Sequence, residues 1–281
     1  MDYTFTIFTP CYNGEKTIKR VFDSVLAQTY DKWEWIIIND GSTDNSEMVI
    51  NRMLNNIISD KKCRITFISQ ANKGKHVAWN KAVEMAKGDF FLSADCDDSF
   101  KSNTLEYFNK KANELCQKDF LHSHFSGINV CCYRPKTNER VGDAYPIDGL
   151  VSDNIELAYR YKINGEHWGI VRTDILKQIK FPELTGHFYN ESYLWFTIAK
   201  QYKVICFNEM LRSYFFEQQS LVNNKNYKLD YDRAVMELSF NWWRVKEIGN
   251  LIWRYSKVDY FKAFIMVGKC ITKVVLAKVK R

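Results

Sequence analysis

The chain has 281 residues, enough for one large domain or a domain with a small accessory piece, and its 46% hydrophobic and 26% charged composition excludes disordered and fibrous classes. The formal charge of +7 is uneven: from Arg254 to Arg281 there are eight Lys or Arg against Asp259 alone, so residues 1–253 balance at 32 of each sign. A neutral body with a basic tail argues against nucleic acid and for an anionic surface as partner.

The start, MDYTFTIF, lacks the basic residues and long apolar stretch of a secretory signal, as expected of a mature cytosolic start. Eight cysteines without a CxxC pair fit a reducing compartment, so the expected location is cytoplasmic. Apolar, β-rich runs at 3–8, 34–38, 64–68 and 89–93 predict four strands. Between them Ile18, Val21, Phe22, Val25 and Leu26, then Val49, Ile50, Met53, Leu54 and Ile57, recur at helical spacing. The alternation predicts an α/β fold with a parallel sheet covered on both faces.

In such sheets ligands bind beyond the carboxyl ends of the strands. Those ends read TPCYNGE (9–15), NDGSTD (39–44), SQANKGKH (69–76) and ADCDDS (94–99), all polar. Asp95 and Asp97 have the spacing to hold Mg²⁺ or Mn²⁺, with water and phosphate oxygen completing the shell; the plainer alternative is a capped, solvated turn. Asp40 offers an acceptor for a base N–H, or caps the helix after it. Tyr12 offers a stacking face, or packs. A GxGxxG turn is missing after the first strand, which argues against a dinucleotide-dependent dehydrogenase.

Beyond residue 100 the regular alternation stops, with a helix expected over 104–117, strand-like pieces in 120–134, turns over 135–153 and a helix-strand pair near 190–208. His122 and His124 alternate as on one strand face, but lack a matching Cys or acid, so packing or surface placement is the expectation. His167 and Trp168, in NGEHWG, suit an acceptor pocket because an aromatic face fits a sugar ring; core packing of Trp168 is the alternative. Arg212 and the loop 217–226 are candidates to close over a donor diphosphate, or a plain surface loop. In the tail Lys262, Lys269, Lys273 and Lys280 form one stripe, with Phe264, Ile271 and Val275 opposite. Either the helix lies in a membrane interface or it packs on the domain with its basic side in water.

The ordered run FTPCYNGEKTIKRVFDSVLAQTYDKWEWIIINDGSTDNS, followed by NKGKHVAWNKAVEMAKGDFFLSADCDDSF, resembles the nucleotide-binding half of family 2 glycosyltransferases, which have the GT-A fold. The resemblance implies a Rossmann-like, mostly parallel central sheet flanked by helices, over residues 1–220, with a nucleotide-sugar half (1–100), an acceptor half (101–220) and a helical, basic extension (221–281). It implies a nucleotide-sugar donor, usually a UDP-sugar, a DxD motif at Asp95 and Asp97 holding Mn²⁺ or Mg²⁺, base recognition by Asp40 and a donor wall of Thr9, Pro10 and Tyr12. Lys73, Gly74 and Lys75 match the family's loop near the donor, with Asn80 on the helix beyond.

There are departures. Trp79 stands where many members have Arg, and Cys96 where Ser or Ala is usual; a soft thiol is not a ligand for a hard cation. The stretch 186–216 resembles the acceptor-side helix whose acidic pair supplies the catalytic base, but here the pair reads Glu191-Ser192. Glu191 is the expected base, with Glu166 in reserve. The expected function is inverting, metal-dependent sugar transfer to a glycan or lipid-linked acceptor in bacterial surface polysaccharide synthesis. The alternatives are a polyprenyl-phosphate sugar transferase and, because of Ser192, a nucleotide-sugar-binding protein without turnover. The expected location is cytoplasmic, peripheral on the inner face of the membrane through residues 254–281.

Overall fold

The computed structural model describes residues 1–57, 64–115, 120–183, 189–215 and 231–279. Strands β1 (Phe5–Cys11), β2 (Trp33–Asp40), β3 (Ile65–Gln70) and β4 (Phe90–Ser93) pair in parallel in the order β3-β2-β1-β4. Helices α1 (Ile18–Leu26), α2 (Ser46–Asn55) and α3 (Lys75–Met85) lie between successive strands, as parallel pairing requires.

The unbroken apolar runs follow from burial on both faces. Phe5, Ile7, Trp35, Ile37, Phe90 and Leu92 join α1 on one side, while Phe8, Ile36, Ile38 and Phe91 join α3 on the other. Trp79 sits in the second layer against Phe91 at 5.1 Å, Phe8 at 5.9 Å and Phe181 at 6.1 Å. Burying such a ring contributes about 2–3 kcal/mol. An arginine there would need an ionic partner of its own, which gives a physical reason for the departure at this position.

The second half of the sheet is mixed. Past β4 the order continues β9 (His167–Arg172), β6 (Phe125–Tyr133), β10 (Lys203–Ser213) and β5 (Ser99–Phe100), with β7 (Arg140–Val141) on β6 and β8 (Leu150–Ser152) on β10. β9 runs antiparallel to both β4 and β6, whereas β6 and β10 are parallel. The sequence reading assigns no strand to 164–169 and so passes over β9. The expected helix over 104–117 is α4 (Thr104–Leu115), and short helices α5 (Asn154–Tyr159) and α6 (Thr173–Leu176) flank β9. His122 and His124 share no strand face: both are exposed and precede β6, His122 in a 3₁₀ turn.

Three more helices complete the described chain: α7 (Ser192–Ala199), α8 (Tyr231–Tyr255) and α9 (Lys257–Val279). Met236, Phe240, Ile248 and Ile252 of α8 belong to the same core layer as Phe8 and Trp79. Helix α9 packs back along α8, and the Lys162–Asp259 pair ties its start to the loop before β9.

Candidate active site

The carboxyl ends of β1, β2 and β4 converge, and each loop there is fixed by its own chemistry. Asp40, 3% exposed at the end of β2, accepts from the backbone N–H of Lys73 at 3.0 Å and of Gly74 at 2.8 Å, and from the Gln70 amide at 2.9 Å. Its carboxylate thereby shapes the loop that starts α3. Gly41 has φ of +67°, and a Cβ there would lie 2.5 Å from the Asn72 nitrogen, so only glycine lets the two loops touch. Asn13, after β1, accepts from the Thr43 N–H at 2.8 Å, closing the first loop on the second.

The acidic segment after β4 is a tight turn, with the Asp98 N–H donating to the Asp95 carbonyl at 3.1 Å. Arg20 braces it by donating to the Asp97 carbonyl at 3.0 Å. The turn brings one oxygen each from Asp95, Asp97 and Asp98 within 4.8 Å of one another. Asp98 is buried and clasped by the Arg212 guanidinium, whose Nε is 2.8 Å away. Asp95 is paired with Lys75 at 2.9 Å, and Asp97 is the one of the three without an ion pair among the described residues. Cys96 points under the turn: a Cβ on Gly14 would meet its Sγ at 3.0 Å and that of Cys11 at 2.9 Å.

Charge is unevenly balanced across this cluster. Burial opposes ionisation of Asp95, but Lys75 and Arg212 outweigh it and hold its carboxyl below the ordinary range. Burial and then the neighbouring Asp95 push the Asp97 carboxyl up. Burial also pushes Asp98 up to about 7 in spite of Arg212, with Asp95 and Asp97 adding repulsion. A hard divalent cation fits this donor set, because it is all carboxylate oxygen and because burial and Asp95 outweigh the relief that Arg212 and Lys75 give Asp97.

The second half of the chain supplies single side chains. Lys75, at the start of α3, places its ammonium 2.9 Å from Asp95 and 2.8 Å from Glu191. Desolvation works against that ammonium, yet the two carboxylates hold its pKa above the ordinary value. Glu191, half-exposed at the head of α7, is thus tied to the acidic turn through one lysine. On the other flank Arg212 lies 3.7 Å from Asp95 and 4.0 Å from Glu166. The cluster therefore has a glutamate on each side.

Other expected residues sit elsewhere. Thr9 and Pro10 fall inside β1 and are buried, and the Thr9 hydroxyl accepts from the Trp35 indole at 2.9 Å. Of the three residues of the implied donor wall, Tyr12 is the one with an exposed side chain, at 41%. Lys73 is exposed, and Gly74 is buried beneath it. Asn80 bridges to the backbone of Phe181, donating to its carbonyl and accepting its N–H, both at 2.9 Å, and so positions the segment after α6.

Trp168 is a correction to the pocket reading: it is 6% exposed, donates to the Ser93 carbonyl and packs 5.4 Å from Phe100. His167, which leans on Tyr145 at 4.8 Å, bonds to the Asp143 carbonyl at 2.9 Å. Arg212 serves the acidic turn, and the loop 217–226 proposed to close with it lies outside the described residues. The sequence reading missed the Asp98–Arg212 clasp and the Lys75 bridge. The doubled acid at 97–98 is the only local signal for the first, because one acid of such a pair must find a cation.

A sequence profile described as "Glycosyl transferase family 2" matches residues 6–179. Chondroitin synthase of Pasteurella multocida is 40% identical over 116 residues, which cover 41% of the chain; the chain spans only 11% of that relative's length. TuaG of Bacillus subtilis, named for teichuronic acid biosynthesis, is 25% identical over 225 residues, covering 78% of the chain and 82% of TuaG. Among solved structures, S. aureus TarS 1–349 in complex with UDP-GlcNAc superposes with a TM-score of 0.63 at 18% identity, over 96% of this chain and 81% of that one. The mannosyltransferase PcManGT from Pyrobaculum calidifontis, in complex with GDP-Man and Mn²⁺, gives 0.61 at 17% identity, over 99% and 76%. These likenesses at low identity establish the shared fold. With the profile covering more than half of its length, the chain belongs to glycosyltransferase family 2.

Proposed function

We propose that the chain transfers a sugar from a nucleotide-sugar, a UDP-sugar before others, to a glycan or lipid-linked acceptor in surface polysaccharide synthesis, by a metal-dependent displacement that inverts the anomeric centre. The observation that carries this reading is the acidic turn after β4, with Glu191 joined to it through Lys75. The names and bound donors of the relatives support the donor class: TarS holds UDP-GlcNAc, PcManGT holds GDP-Man and Mn²⁺, and TuaG is named for teichuronic acid biosynthesis.

Asp95 and Asp97 would hold Mn²⁺ or Mg²⁺, which when bound would supply the positive charge that stabilises a departing diphosphate. Tyr12 stacks on the base. The Asp40 Oδ2 atom, with one N–H from Gly74 already on it, keeps a lone pair for a base N–H. Glu191 takes the proton of the acceptor hydroxyl as its oxygen attacks the anomeric carbon; the bond to the diphosphate breaks with both electrons leaving on the nucleotide. Lys75 holds the Asp95 carboxyl below the ordinary range and bridges it to Glu191. Arg212 sets the turn through Asp98, and Glu166 stands by on the acceptor side with His167.

Calorimetric titration of UDP-GlcNAc and GDP-mannose, with Mn²⁺ and with EDTA, tests the donor and metal assignments. The expected result is binding of the UDP-sugar that EDTA and Asp97→Ala both abolish. Binding indifferent to both would remove the cation from the account.

A further inference from the structure

Helix α9 has three faces. Ala263, Val267, Cys270 and Ala277 are buried along a seam against α8, where the Asn241 amide reaches Cys270 Sγ at 3.6 Å and Lys273 pairs with Glu237 at 2.8 Å. At about 100° per residue, Phe261, Phe264, Ile265, Ile271, Val275 and Leu276 form a second face, and every one of them is exposed. Lys262, Lys269 and Lys273 run along one edge of that apolar arc, between it and the seam. The sequence reading places the lysines opposite Phe264, Ile271 and Val275. That placement holds; the exposed arc also takes in Phe261, Ile265 and Leu276, so the lysines border its Ile265–Leu276 end, and α8 covers the seam beyond them.

At the turn between the helices the exposed Trp253 packs edge-on against Phe261 at 5.7 Å, extending the apolar face onto the end of α8. A contiguous exposed patch of large apolar side chains marks a docking surface. The helix is about 35 Å long at 1.5 Å per residue. No helix among the described residues is long and apolar enough to cross a membrane, and α9 would meet a lipid layer along its surface.

We infer that α9 docks flat on an anionic lipid leaflet, with the Phe261–Leu276 arc entering the boundary between headgroups and acyl chains and the lysine edge lying at the phosphate level. The arrangement of the charges favours lipid over a second copy of the chain. A second copy would bring the same basic edge to the contact, whereas anionic headgroups pair with Lys269 and with Lys262, whose partner Asp259 lies 3.7 Å away. The seam on α8 keeps the helix folded before it meets lipid, so binding carries little ordering entropy.

The test is co-sedimentation of the full chain with vesicles of phosphatidylcholine and phosphatidylglycerol in equal parts, and with vesicles of phosphatidylcholine alone. The wild type is expected to pellet with the mixed vesicles and to do so less as salt is raised. Phe264→Ser with Ile271→Ser should weaken binding by about tenfold or more, and Lys262→Gln with Lys269→Gln by about fivefold per lysine. Unchanged circular dichroism and melting of both double variants separate lost docking from lost folding. Wild type that stays in the supernatant overturns the inference. So does a dimer in lipid-free buffer that the Phe264 and Ile271 changes dissociate, since the arc would then be a self-association surface.

Discussion

The parallel half of the sheet builds its part of the site from contiguous loops, whereas the mixed half contributes single side chains from separate elements. In the first, the loops after β1, β2 and β4 and before α3 brace one another through backbone groups: Asp40 on the N–H groups of Lys73 and Gly74, Asn13 on that of Thr43, Arg20 on the Asp97 carbonyl. In the second, Glu166 comes from the edge of β9, Glu191 from the head of α7 and Arg212 from β10. The halves meet at the site through Lys75 with Glu191 and through Asp95 and Asp98 with Arg212. Geometry fixed by several separate side chain–backbone bonds loses one brace at a time, while geometry fixed by a few long-range ion pairs fails when one partner goes.

This contrast can be broken experimentally. The largest expected effect is on turnover: Asp97→Ala should reduce release of nucleoside diphosphate about a thousandfold or more, since metal stabilisation of a leaving group is worth several kcal/mol. Melting should be unchanged, because the loops hold themselves. Residual activity within tenfold of wild type would mean that the cation is held elsewhere.

Next comes stability at the join. Asp98→Ala leaves the Arg212 guanidinium buried without its clasp and should cost about 3–5 kcal/mol in urea unfolding, and Asp98→Ala with Arg212→Met should recover most of that. If the single change costs less than 1 kcal/mol, roughly the worth of a surface pair, the two halves are not held together there. Trp168→Ala should cost about 3 kcal/mol through the cavity left beside Phe100 and Phe108, with acceptor KM unmoved. A raised KM without loss of stability would restore its reading as a sugar platform. The smallest effect is expected at Asp40→Asn, about 1–2 kcal/mol, because an amide cannot accept all the N–H groups the carboxylate does. Loosening of the 73–74 loop should appear as faster amide exchange confined to the β2 and α3 ends.

The same contrast explains what could be read from the sequence. The four parallel strands, α1, α2 and the acidic turn announce themselves because apolar runs, helical spacing and polar strand ends are local patterns. Asp95, Asp97 and Asp40 are legible for that reason. β9 was not, since HWGIVR acquires its strand identity from β4 and β6 on either side rather than from its own pattern. Trp168 reads equally as pocket or core until those partners are known. Lys75 was marked as a donor-side residue and Arg212 as a candidate to close over the diphosphate; the Lys75 contact with Glu191 and the Arg212 clasp on Asp98 cross 114 residues or more of chain, which spacing does not reveal. The three faces of α9 were half legible, because the position of the seam depends on α8.

The measurement that bears most directly on the proposed mechanism compares Glu191→Gln with Glu166→Gln in nucleoside diphosphate release from a UDP-sugar, with Mn²⁺ and a panel of glycan and lipid-linked acceptors. Glu191→Gln should lower turnover about a hundred- to ten-thousandfold, the worth of a positioned general base, and leave donor binding intact, while Glu166→Gln changes it less than about tenfold. Turnover that survives Glu191→Gln and collapses in Glu166→Gln would contradict the account and move the base to the Arg212 side of the acidic turn.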